Sequence, residues 1–170
     1  NTAIAQMRVQ LNNNPYIVIT NSANVVIDNT NTNAINVIVG GNIISEGENN
    51  RVKWNIGTNT GSYNVPFTTF SHVKIPLSLN ITAAGTGTTG FVAFSTYETA
   101  TDANTAYPSD VTNMNSSCST NNALYATDRF WIIDALSYTT KPTPNITFGY
   151  DDAANEIGIT NTITESMLKA

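Results

Sequence analysis

Along the first 56 residues, apolar positions gather in short runs separated by polar, Asn-rich gaps. Tyr16-Ile17-Val18-Ile19-Thr20 is followed by Asn21-Ser22-Ala23-Asn24 and then by Val25-Val26-Ile27-Asp28. After Asn29-Thr30-Asn31-Thr32-Asn33 the outline recurs as Ala34-Ile35-Asn36-Val37-Ile38-Val39, Gly40-Gly41-Asn42 and Ile43-Ile44-Ser45-Glu46. A weaker third copy begins at Arg51-Val52-Lys53-Trp54-Asn55-Ile56-Gly57. The period is roughly 17 to 20 residues, close to the coil length of a β-solenoid, in which each coil buries its apolar face on its neighbours. Asn at the corners suits stacked amide ladders. Antiparallel hairpins are the alternative reading, since Asn-rich turns serve both architectures.

From Gly57 the period disappears. Gly57-Thr58-Asn59-Thr60-Gly61-Ser62 is a turn cluster, and strands are expected at 63–67, 72–82, 90–97, 124–135, 145–150 and 157–164. Val73, Ile75, Leu77, Leu79 and Ile81 alternate with His72, Lys74, Ser78, Asn80 and Thr82, so one face is apolar and the other polar. Asp128-Arg129-Phe130-Trp131-Ile132-Ile133-Asp134 is the densest apolar run and reads as a central strand, with carboxylates where it leaves the core. Gly85-Thr86-Gly87-Thr88-Thr89-Gly90 reads as a hairpin turn. The expected fold is all-β. Residues 1–56 form a short β-solenoid-like stretch, and residues 57–170 form an antiparallel β-sandwich. The long polar stretch from Glu98 to Asn122 is the place to look for a site, because connections of that length in compact domains are usually functional or mobile.

Composition supports the absence of helix. Only 11% of the residues are charged, less than half the usual quarter, and the surface is kept wet by Asn, Thr, Ser and Gly instead. Asn and Thr together supply roughly three residues in ten, and both disfavour helix interiors because their side chains compete with the backbone. The net charge is -5 with 7 Lys plus Arg, so no basic stripe exists for nucleic acid or an anionic membrane surface. No apolar run approaches the ~20 residues needed to span a bilayer, so membrane insertion is not expected. Both ends read as cuts in a longer polypeptide, with no signal peptide at Asn1.

Several segments resemble a β-sandwich module of secreted Bacteroidota proteins. They are Gly57-Thr58-Asn59-Thr60-Gly61-Ser62-Tyr63-Asn64-Val65-Pro66-Phe67, Ile75-Pro76-Leu77, Phe94-Ser95-Thr96-Tyr97 and Val111-Thr112-Asn113-Met114-Asn115. Asp128 to Asp134 and Ile146-Thr147-Phe148-Gly149-Tyr150 belong to the same likeness. In such proteins the module follows an Asn/Gly-rich β-repeat region and precedes a sorting domain read by the type IX secretion system. The resemblance implies export to the cell surface and a structural or adhesive role. It brings no functional residues with it. The sorting domain and the final strands of the module are not in the sequence, so the sandwich is expected to be incomplete at its C-terminus.

Little chemistry is visible. His72 is the only histidine and stands on a polar strand face with Lys74 and Ser78, which reads as solvated polarity rather than part of a triad. A glycosidase needs two carboxylates across a cleft; Glu98, Asp102, Asp110, Asp128 and Asp134 are the candidates, and Asp128 and Asp134 are too far apart along one strand. One Cys and one His make zinc or copper improbable. Asp151, Asp152, Asn155 and Glu156 offer calcium-type oxygens without the EF-hand spacing, and an acidic turn is the preferred reading. Cys118 has no internal partner and reads as a bystander thiol. Neither a catalytic site, a metal nor a cofactor is expected. Asn80, Asn115 and Asn145 begin N-x-S/T triplets, which arise by chance in a chain this rich in Asn and Thr.

The function expected is a non-catalytic structural or adhesive segment of a large bacterial surface protein, a stalk, fibre or tip module. Its partners would be the rest of its own polypeptide, other copies through strand edges, or surface glycans. The alternative is a carbohydrate-binding module, for which Trp54, Tyr97, Tyr107, Tyr125 and Tyr138 supply the aromatic faces.

Overall fold

The structure, a computed structural model, describes residues 7–99, 106–117, 120–152 and 156–157. The chain is all-β with several sheets, none of them closed. Among the described residues no helix is long and apolar enough to cross a membrane.

Six short strands come first: β1 (Val9–Leu11), β2 (Tyr16–Val18), β3 (Asn24–Ile27), β4 (Ile35–Val37), β5 (Asn42–Ile44) and β6 (Arg51–Trp54). The second three lie on the first three in parallel: Val9 pairs Ile35, Tyr16 pairs Asn42 and Asn24 pairs Arg51. The repeat is therefore a three-sided pass of 26 to 27 residues, the offsets being 35 − 9 = 26, 42 − 16 = 26 and 51 − 24 = 27. This corrects the two-strand period of roughly 17 to 20 residues read from the sequence. Tyr16–Ile19 and Ile35–Val39 resemble each other as apolar runs, yet they form different sides. Arg51–Trp54 does not start a third copy; it completes the second.

The corners explain the Asn content. Asn13, Asn14, Asn21 and Ser22 all hold φ between 54° and 65°, a left-handed conformation that Asn tolerates better than most side chains. Gly40, directly against Asn14, has φ +58°, and a Cβ there would enter the Asn14 side chain. Stacked corners also bond to each other. Asn55 Nδ2 donates to Asp28 Oδ1 at 2.8 Å, and the Ser22 N–H donates to Asn50 Oδ1 at 3.0 Å.

The remaining strands are β7 (Gly61–Val65), β8 (Leu77–Ala83), β9 (Phe91–Glu98), β10 (Asn115–Ser117), β11 (Thr120–Asn121), β12 (Arg129–Leu136) and β13 (Thr143–Phe148). One sheet has the order β13-β8-β7, and another has the order β12-β9-β6-β3. In the second sheet β6 is parallel to β3 on one side and antiparallel to β9 on the other. The stacked passes and the antiparallel part thus share a sheet across residue 56. They share a core as well: Ile27, Ile43, Val52 and Trp54 are buried with Tyr63, Val65, Leu77, Leu79, Val92 and Phe94. Trp54 and Tyr63 meet edge to face at 5.1 Å. Their polar tips reach the same turn, Trp54 Nε1 donating to the Asn29 carbonyl at 2.8 Å and Tyr63 Oη to the Thr30 carbonyl at 3.0 Å.

Four expectations need correction. Strand β8 begins at Leu77 rather than His72, because His72 turns the chain with φ +67° and Pro76 offers no N–H. The apolar alternation nevertheless stands, with Ile75, Leu77, Leu79 and Ile81 buried. Residues 123–125 form a 3-10 turn, and β12 is the edge strand of its sheet among the described residues, not a central one. Trp131, Ile133 and Ala135 are half-buried there, and Trp131 packs on Phe148 of the β13-β8-β7 sheet at 5.1 Å. The Gly85–Gly90 stretch is not a hairpin turn. It carries the chain from β8 in one sheet to β9 in the other, and both glycines pack against the Tyr138 ring, which a Cβ at either would enter. The strand expected at 157–164 lies, after Ile157, outside the described residues.

Candidate functional site

Four segments distant in sequence converge where β9 ends and β12 begins. The turn from Ser45 to Asn50 closes on itself, Ser45 Oγ donating to the Asn50 carbonyl at 2.6 Å and Asn50 Nδ2 to the Ser45 carbonyl at 2.8 Å. It is tied to β9 by Ser95 Oγ donating to the Glu48 carbonyl at 2.7 Å and by the Thr96 N–H donating to Ser45 Oγ at 3.2 Å. Two described residues of the long polar connection, Ala106 and Ser109, are bonded to this end. Tyr97 Oη donates to the Ala106 carbonyl at 2.7 Å, and Ser109 donates to Glu48 Oε1 through its N–H at 3.0 Å and its hydroxyl at 2.6 Å. The two Ser109 bonds hold the Glu48 carboxyl below its ordinary range.

Arg129 lies at the centre of this end, and its side chain is wholly out of water. Its Nε donates to Glu156 Oε1, its Nη2 to Glu46 Oε1 at 2.9 Å and its Nη1 to Thr96 Oγ1 at 3.1 Å. Glu98 stands 3.9 Å from Nη2 with its own side chain largely exposed. The carboxylates are further held from behind: Glu46 Oε2 accepts the Glu98 N–H at 2.9 Å, and Glu156 Oε2 accepts the Asp151 N–H at 2.7 Å. Burial pushes the Glu156 carboxyl up, against the pull of Arg129 and the Asp151 N–H. Sequence reasoning passed over Arg129 and Glu46. A strand-flanking Arg signals exit to solvent, and nothing local marks the partners at 46 and 156.

The candidate residues disperse around this hub. Asp128 is buried just before β12, whereas Asp134 bonds Arg51 Nη1 at 2.6 Å further along the strand. Glu98 is on the rim of the hub, Asp110 is exposed, and Asp102 lies outside the described residues. His72 stacks on Tyr16 at 4.0 Å in an exposed pair. Of the calcium-type residues, Glu156 turns to the guanidinium, Asp151 is buried beside it, Asp152 is exposed and Asn155 lies outside the described residues, as does Cys118. Among the described residues no three His, Cys, Asp or Glu side chains gather as metal ligands.

The aromatics do not form a row. Trp54 is fully buried, Tyr138 packs on Gly85 and Gly90, and Tyr125 is exposed on the 3-10 turn. Tyr97 and Tyr107 both lean on Phe130, at 5.8 and 6.2 Å between ring centroids. Burial, with a smaller contribution from Glu48, pushes the Tyr97 phenol up to about 12. Chemically, this end fastens chain segments together: a cation, hydroxyls and carbonyls are spent on one another.

No protein-family model matches the chain, and no curated protein or solved structure is detectably similar to it.

Proposed function

We propose that this chain is a non-catalytic structural or adhesive segment of a large bacterial cell-surface or secreted protein, serving as stalk, fibre or tip module. In this reading residues up to about 56 are a two-coil β-solenoid-like start, and the facing sheets that follow are a β-sandwich built directly onto it. The single observation that supports it is β6, which continues a parallel stack on one edge and an antiparallel sheet on the other. Such a strand passes force between the two parts through backbone hydrogen bonds and a common core. The sparsely charged, Asn/Thr-rich composition suits exposure outside a cell, and export by the type IX route is part of the proposal on the strength of the family resemblance alone.

Carbohydrate binding is the second reading, and the exposed Tyr16–His72 stack with exposed Phe70 beside it in sequence favours it. The test of the main reading is surface accessibility in the native organism. External protease or antibody is expected to reach the chain on intact cells, whereas confinement to the cytoplasm refutes the proposal.

A further inference from the structure

The stack formed by the first six strands is covered at one end and open at the other. At the covered end β6 is paired by β9, and β5 is bridged by Phe67. At the open end β1, β2 and β3 each pair on one side only among the described residues. Pro15 and Ile19 bond β5, so the alternation along a strand turns the N–H and C=O groups of Tyr16 and Val18 away from it. The same alternation turns out those of Gln10, between Val9 and Leu11, and those of Asn24 and Val26, between Ala23 and Ile27. Val9, Ile17 and Val25, one on each side of the pass, pack on the core and keep part of their apolar surface in water. Edges left in water are ordinarily blunted by charge, Pro or a bulge. The edge strand β12 carries the partly exposed Asp134, whereas β1, β2 and β3 hold no charged residue and no Pro.

We propose that this open end is a self-association surface, on which the first coils of two copies stack head to head about a two-fold axis. Each edge is three or four residues long, so an extended peptide would engage one of them, and only a three-sided coil engages all three. The first coil of a second copy has that outline. Turned over, it runs antiparallel: β2 meets β2 across the axis, and β1 of each copy meets β3 of the other. With the axis between the two Ile17 residues, Tyr16 of one copy and Val18 of the other exchange N–H···O bonds, and the Ile17 side chains join the two cores. The contact is isologous and closes on itself, so it pairs two molecules. It does not depend on where the protein stands in or on the cell, so its failure and that of the surface reading are separate results.

Sedimentation of the intact chain, with amide exchange followed at several concentrations, tests this. A monomer–dimer equilibrium is expected. Exchange at Tyr16, Val18 and Val26 is expected to slow as concentration rises, while exchange in β8 does not. Val18→Pro removes an N–H that a single copy leaves unbonded, so the fold is expected to stand. Two symmetric bonds are lost from the pair, and association should weaken by about tenfold or more. The exchange measurement uses the parent chain and decides the matter even where Val18→Pro fails to fold. A chain that stays monomeric at every concentration overturns the proposal, including the case in which a different polypeptide supplies the strands. So does a dimer whose Tyr16 and Val18 amides exchange at one rate throughout, or a folded Val18→Pro variant that pairs as tightly as the parent.

Discussion

Glu46 and Arg129 stand 83 positions apart in sequence and meet at 2.9 Å with both side chains out of water. Their pairing fixes the turn after β5 against the start of β12, and the same guanidinium reaches Glu156. Removing the cation alone strands two buried carboxylates. Arg129→Met is expected to cost about 3–5 kcal/mol in urea unfolding. Adding Glu46→Gln and Glu156→Gln should recover most of that loss. The comparison is Arg51 with Asp134, whose side chains are 20% and 39% exposed. A double-mutant cycle on that pair is expected to give about 0–1 kcal/mol, despite its shorter 2.6 Å contact.

Tyr138 fills the space that Gly85 and Gly90 leave open. Gly90→Ala puts a methyl group inside the ring's contact distance, and the crossing between the two sheets must shift to admit it. A loss of about 1–3 kcal/mol is expected. Combining Gly90→Ala with Tyr138→Ala should cost less than the sum of the two single changes, measured by denaturant unfolding.

The Trp54 indole fastens the polar turn at Asn29 to the core. Trp54→Phe keeps most of the apolar volume and deletes the donor, so the Asn29 carbonyl loses a buried partner. About 1–3 kcal/mol should disappear from global stability. Amide exchange at Asn31 and Ala34 should rise more than exchange in β8.

Alkaline titration separates buried from exposed phenols. Burial pushes Tyr63 and Tyr97 up to about 12. A phenol raised in the fold contributes stability below its ordinary value near 10, and that stability is lost as pH rises toward the raised value. Absorbance near 295 nm is therefore expected to show a late step, coincident with unfolding between about pH 10 and 12. Tyr97→Phe should shrink that step.

Period-two alternation made β8 legible, because Leu77, Leu79 and Ile81 face one core and their neighbours do not. Asn-rich corners were legible for the same local reason: left-handed backbone favours Asn and Gly. The true repeat was hidden by unequal sides. Val9-Gln10-Leu11 is a weak apolar run, so the eye matches the strong runs of β2 and β4 across different sides of the pass. Turn signals at Gly85–Gly90 report that the chain bends, and they carry no information about which sheet it enters next. Apolar density at Phe130–Ile133 likewise announces a strand without naming its neighbours. The hub was illegible because its energy lies in partners at 46, 96 and 156, which only the fold brings to Arg129.

The central claim is that this chain works as a mechanical or adhesive part of a surface structure. Electron microscopy of native surface material, with the chain marked by a gold-labelled antibody, tests it most directly. The account predicts label on extended projections, either fibres with a regular repeat or single stalks. Label confined to compact, dispersed particles with no projection attached would contradict it.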